Sequence, residues 1–90
     1  MLEAVKKALR ISASTTIYDD DVQDLIDAAL LDLGIAGIAA YETDKLVLMA
    51  VKTYCRMHFG NVAMDEYDRL AKSYDVQKAQ LQTASDYKEM

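Results

Sequence analysis

Residues 44–60 read DKLVLMAVKTYCRMHFG, the most continuously apolar part of the chain. Asp44, or Thr43 just before it, is a candidate N-cap, because a short oxygen-bearing side chain accepts hydrogen bonds from the first free backbone N–H groups of a helix. Apolar residues then fall on nearly every side of a helix drawn over 44–59, and Gly60 ends it. The pattern predicts a hydrophobic helix at the centre of the protein.

One narrow side of this helix is charged. Lys45, Lys52 and Arg56 are spaced i, i+7 and i+11, so they share a face. We call these three residues the basic stripe. They are the only residues of the helix that we expect to reach water.

Three further helices are predicted from apolar periodicity. They cover residues 2–10, 20–33 and 63–82. Proline is absent and only three glycines occur, which favours helices joined by short turns, with Gly34 as the left-handed residue after the second helix. We therefore expect an all-α protein, a compact bundle of four unequal helices with a long hydrophobic central helix. Residues 1–84 would form a single helical domain and residues 85–90 a flexible tail.

The second predicted helix carries an acidic face. Asp20, Asp24 and Asp27 lie opposite its apolar side, and the segment 19–32 contains six aspartates and no base. Leu31 falls among these carboxylates, where it is either an incidental exposed leucine or a contact point. One surface of the molecule should therefore be distinctly negative.

The charge and the hydropathy exclude several classes of protein. The 90 residues carry 10 basic and 15 acidic side chains, a formal net charge of −5. Such a surface repels a polyanion on average, so DNA or RNA binding is disfavoured. No apolar run reaches the roughly 18 residues of a membrane span and no basic-then-apolar leader is present. We expect an intracellular protein without membrane contact.

Residues that could carry chemistry are sparse. His58 and Cys55 lie three positions apart, but two ligands do not close a zinc site and a single cysteine has no partner. The run Asp19 to Asp21 lacks the glycine and terminal glutamate of a calcium loop, and we interpret it as a helix N-terminus. No phosphate-binding loop or nucleophile motif occurs. We expect no catalytic residue, no metal and no cofactor.

Two different and complementary patches remain, the acidic face and the basic stripe. A head-to-tail contact between copies requires such a pair, and it closes into a ring if the rotation allows. The alternative is that both patches are merely solvated. Tyr18, Tyr41 and Tyr87, in predicted loops and the tail, are further contact candidates because their rings suit half-buried surfaces.

Four segments follow one another over nearly the whole chain. They are MLEAVKKALRIS (1–12), DDDVQDLIDAALLDLGIAG (19–37), LVLMAVKTYCRMHFGN (46–61) and YDRLAKSYDVQKAQL (67–81). In order and spacing they resemble the small head-tail connector proteins of tailed bacteriophages and prophages. No segment carries a catalytic signature.

The resemblance implies a non-enzymatic structural subunit in a ring of about a dozen copies. The ring would lie in the virion, between the portal protein and a tail-side stopper protein, after assembly in the host cytoplasm, and DNA would pass through it without specific binding. The C-terminal region would dock on the portal, with Leu81, Tyr87 and Met90 as docking candidates. The candidates for the contact between copies are Asp20, Asp24, Asp27, Leu31, Lys45, Lys52 and Arg56.

Two other hypotheses stay open at the level of the sequence. One is a small helical adaptor or regulator that binds a single host or phage protein through the acidic face. The other is a helical nucleic-acid-binding domain, for which the basic stripe offers few cations close to a buried helix.

Overall fold

The structure is a computed structural model that describes residues 1–35 and 44–83. Within these ranges it contains four α-helices and no strand. The helices are α1 (Leu2–Ala8), α2 (Asp19–Ile35), α3 (Lys45–His58) and α4 (Met64–Thr83). The expected all-α bundle of four unequal helices is confirmed. The boundary at residues 84 and 85, and the tail, lie outside the described residues.

α3 is the centre of the bundle, as the sequence predicts. Asp44 caps it, and one of its carboxylate oxygens accepts the backbone N–H groups of Leu46 at 2.8 Å and Val47 at 3.3 Å. Its buried residues are Val47, Ala50, Val51, Thr53, Cys55 and Met57. The chain leaves the helix through Phe59 and turns at Gly60, whose φ of 70° is the left-handed conformation that glycine adopts without strain.

The other helices pack around α3. α4 returns antiparallel along it, so that the Tyr54 and Tyr74 rings lie 5.5 Å apart and His58 meets Tyr67 at 6.0 Å. α2 starts beside the end of α3, where the Tyr18 ring stands edge-on to Phe59 at 5.7 Å. The end of α3 and the starts of α2 and α4 therefore share one end of the bundle, which we call the Phe59 end.

α1 is shorter than the sequence predicts because the chain reverses at Arg10. The helix ends at Ala8, and Arg10 takes a φ of 62°. The backbone N–H of Ile11 then donates to Lys6 O at 2.9 Å, and that of Arg10 donates to Lys7 O at 3.1 Å. This pair of hydrogen bonds closes the helix in a Schellman motif, with an arginine where glycine is usual.

Two expectations about α2 have different outcomes. Its apolar side is confirmed, with Val22, Ile26, Ala29 and Leu33 fully buried. The placement of Gly34 beyond the helix is wrong, because α2 continues through Gly34 and ends at Ile35. The loop that the sequence predicts over residues 35–42, with Tyr41, begins one residue too early, since Ile35 is still helical, and the rest of it lies outside the described part of the chain.

Polar contacts join the helices beneath the surface. Lys6 is 4% exposed and its Nζ donates to Thr15 O at 2.6 Å while pairing with Asp19 at 2.7 Å, which ties α1 to the start of α2. The Tyr74 hydroxyl donates to an Asp32 carboxylate oxygen at 2.6 Å, which ties α4 to α2. Both contacts therefore join different helices of the bundle.

Candidate subunit interface

The acidic face of α2 is open to solvent. Asp20, Asp24 and Asp27 are exposed, and Leu31 is 66% exposed among them, as the sequence indicates. Asp27 accepts a hydrogen bond from the Gln23 amide at 3.0 Å. Within the described residues, none of the three carboxylates forms an ion pair. The face therefore presents unpaired negative charge around one bare apolar side chain.

The basic stripe of α3 is also on the surface, but it is not purely basic. Lys45 and Arg56 are exposed and Lys52 is half-buried. Met49 lies between them in sequence and is 52% exposed, and Leu46 beside it is 50% exposed. The expectation that only the three cations of this helix reach water is wrong, because a four-helix bundle leaves the outer side of α3 uncovered. In residues 1–35 and 44–83 none of the three cations is ion-paired.

The Phe59 end is a third surface, which the sequence analysis did not single out apart from Tyr18. Ile17, Tyr18, Met64 and Tyr67 are exposed there by 79%, 44%, 80% and 37%. Three open grooves of about 490, 630 and 410 Å³ are lined by residues from Phe59 to Val62. The signal in the sequence was weak, since these apolar side chains come from two helix starts that only the fold brings together.

The comparison with protein families decides the identity. The pattern of the phage connector protein family matches residues 1–88, almost the whole chain. The chain belongs to the phage connector protein family. This confirms the resemblance seen in the four segments, and it gives the protein a structural role at the head-tail junction of a phage particle. No curated protein and no solved structure matches it.

In this connector protein, the surroundings of His58 and Cys55 are those of residues that pack against their neighbours. His58 is exposed, with its ring 4.5 Å from Tyr54 and 6.0 Å from Tyr67. Cys55 is fully buried, and desolvation raises the pKa of its thiol to about 11. The imidazole is therefore exposed to solvent, whereas the thiol is inside the core. Across the described ranges, no three His, Cys, Asp or Glu side chains come together as a metal site.

The proposed docking residues of this connector protein fall in two places. Leu81 is 2% exposed and belongs to the core. Its choice as a portal contact is therefore wrong for the folded protein, because the side chain is already packed against the other helices. Tyr87 and Met90 lie outside the described residues. None of the helices in the described part of the chain is long and apolar enough to cross a membrane.

Proposed function

We propose that copies of this connector protein join side by side into a closed ring between the portal protein and the tail-side stopper protein, and that DNA passes through the ring. The observation that carries the proposal is the pair of unlike surfaces on separate helices. The acidic face belongs to α2 and the basic stripe to α3, and within the described residues the charges of both lack ion-pair partners. Unlike surfaces of this kind give a head-to-tail contact, which repeats around a ring when the rotation closes.

The area of the molecule supports a repeated contact. The protein exposes 6004 Å², and a contact of standard size takes about 800 Å² from each partner. A copy with a neighbour on either side would bury roughly a quarter of its surface. A single domain of this size has a small core, so this burial would add substantially to its stability.

The charge fits a conduit for DNA. With a net charge of −5, the protein repels a polyanion on average, and contacts between copies would withdraw the three cations of the basic stripe from the phosphates. The genome then slides past without specific binding. Assembly in the host cytoplasm and residence in the virion belong to the same proposal.

The decisive experiment is to measure the mass in solution over a wide range of protein and salt concentration. We expect species larger than the monomer that grow with protein concentration and shrink with salt, because salt screens contacts between exposed charges. The same measurement is then made with the portal protein as a template.

Two outcomes would count against the ring. A strict monomer at the highest concentrations, unchanged by the portal protein, would remove it. A stable one-to-one complex with a single partner and no higher assembly would instead favour an adaptor that binds through the acidic face.

A further inference from the structure

The exposed faces of α2 and α3 share one spacing. Asp24, Asp27 and Leu31 are separated by three and four residues, and so are Met49, Lys52 and Arg56. At 1.5 Å of rise per residue, each triplet covers about 10.5 Å of helix. Each triplet has two charges and one apolar side chain at an end. The two faces are therefore matched in length and in composition, with opposite charge.

The apolar members are exposed to a similar degree. Leu31 is 66% exposed and Met49 is 52% exposed, with Leu46 next to it at 50%. Large apolar side chains on a charged face gain from mutual burial, and a thioether side chain adapts to the shape of its partner. These residues can supply the apolar centre of a contact whose rim is ionic.

The direction of the helices decides how many pairs match. In the antiparallel direction, the alignment that faces Leu31 with Met49 also faces Asp27 with Lys52 and brings Asp24 to Arg56. In the parallel direction, the alignment that faces Leu31 with Met49 forms only one ion pair, between Asp27 and Lys45. The antiparallel alignment satisfies three pairs and leaves no charge of either triplet facing an apolar side chain.

We propose that in the ring α2 of each copy lies antiparallel against α3 of the next, with Leu31 packed on Met49, Asp27 paired with Lys52 and Asp24 paired with Arg56. This inference rests on the proposed function, and it adds the direction and the register of the contact. It also excludes a contact through the Phe59 end as the one that joins neighbouring copies.

Disulfide trapping tests the register directly. Two cysteine pairs are placed in the full chain to report the antiparallel contact, Leu31→Cys with Met49→Cys and Asp24→Cys with Arg56→Cys. A third pair, Asp27→Cys with Lys45→Cys, reports the parallel contact. Two Cα atoms more than about 7 Å apart are not bridged without backbone movement. In the antiparallel alignment, residues 27 and 45 are offset by about eight positions, or about 12 Å along the helix axis.

The native cysteine provides the background. Cys55 is buried and its thiol is a poor nucleophile near neutral pH, because the thiolate is the reactive form. The unaltered chain, oxidised under the same conditions, is the matched control, and circular dichroism confirms that each variant is folded. We expect both antiparallel pairs to give at least about ten times more cross-linked product than the parallel pair.

The pattern of products also reports the symmetry. A head-to-tail contact gives a ladder of dimers, trimers and longer species, whereas a two-fold contact stops at dimers. A ladder from both antiparallel pairs supports the inference. Cross-linking of the parallel pair alone, products that stop at dimers, or no product from any pair overturns it.

The experiments distinguish a wrong register of the contact from the absence of a ring. If none of the pairs cross-links while the unaltered protein still assembles in solution, the contact lies elsewhere and the proposed function stands. If the unaltered protein also stays monomeric with the portal protein present, the proposed function fails as well.

Discussion

Lys6 and Lys7 are consecutive in the sequence, yet they have different environments. Lys7 is exposed, whereas Lys6 is 4% exposed and its ammonium group contacts Thr15 O, Ala13 O and the Asp19 carboxylate. In the sequence the two lysines differ in nothing but position. The difference depends on the path of the chain between α1 and α2, which brings carbonyl groups back to α1, and no local pattern reports that path.

Replacing Lys6 tests its role in holding α1. Lys6→Ala leaves the Thr15 carbonyl and the Asp19 carboxylate without their common donor, and we expect the free energy of unfolding to fall by about 2 kcal/mol. Lys7→Ala is the matched control, and it should change stability by less than about 0.5 kcal/mol. Urea denaturation measures both. Equal losses in the two variants would show that the buried contacts of Lys6 contribute nothing.

The buried thiol and two tyrosines set the response to alkaline pH. Desolvation raises the pKa of Cys55 from 9.0 to about 11, and burial raises the pKa of Tyr54. Burial, with the hydrogen bond to Asp32, also raises the pKa of Tyr74. In each case the folded protein keeps a proton that the unfolded chain releases. The stability these groups contribute is complete below their unfolded pKa values and is lost as pH rises towards the folded ones.

We therefore expect the free energy of unfolding to fall as pH rises from about 9 to about 11. The thiol can contribute at most about 1.4 kcal/mol per pH unit to this slope. Urea denaturation across this range measures the slope, and Cys55→Ala should flatten it even if the variant is less stable at neutral pH. A slope that is unchanged in Cys55→Ala would contradict a raised thiol pKa.

At the scale of the helices, periodicity predicted most of the fold. The apolar residues of α2 and α4 that the spacing places inside are largely buried, and the Asp44 cap and the Gly60 turn are where the sequence indicates. Met49 is the instructive failure. Its angular position is about 20° beyond Arg56, at the edge of the basic stripe, but an apolar residue in a mostly apolar helix is expected in the core. The sequence therefore indicated the charges and Leu31 of the candidate interface, but not Met49.

Two aspartate substitutions on α3 separate core from surface. Val51 is fully buried, so Val51→Asp places an uncompensated charge in the core and should abolish the cooperative unfolding transition. Met49→Asp lies two residues earlier on the exposed side and should keep the helical circular dichroism signal while weakening self-association. Thermal unfolding and solution mass measure the two effects. Retention of the fold in Val51→Asp would contradict the central position of α3.

At the scale of the whole molecule, the charges should control assembly. Arg56→Glu places like charges together at the proposed contact, and we expect self-association to weaken by about tenfold or more while the helical signal is unchanged. Adding Asp24→Lys restores opposite charges across the contact and should recover part of the loss. Solution mass at low salt measures both variants.

The control for this series is Arg69→Glu, which makes the same charge change on the exposed side of α4. It should leave association unchanged, because α4 takes no part in the proposed contact. Weakening by Arg69→Glu to the same extent would mean that net charge, and not the pairing of α2 with α3, controls assembly.

The two faces of this protein belong to different helices, so damage to one leaves the other intact. A copy altered only on α3 would still bind a growing oligomer through its α2, but the next copy could not bind to its α3. Such a molecule would act as a chain terminator. A small molar fraction of it, mixed with the unaltered protein, would be enough to stop most oligomers from closing into rings. In the proposed ring, the same asymmetry that allows growth in one direction would let a minority of defective copies prevent closure.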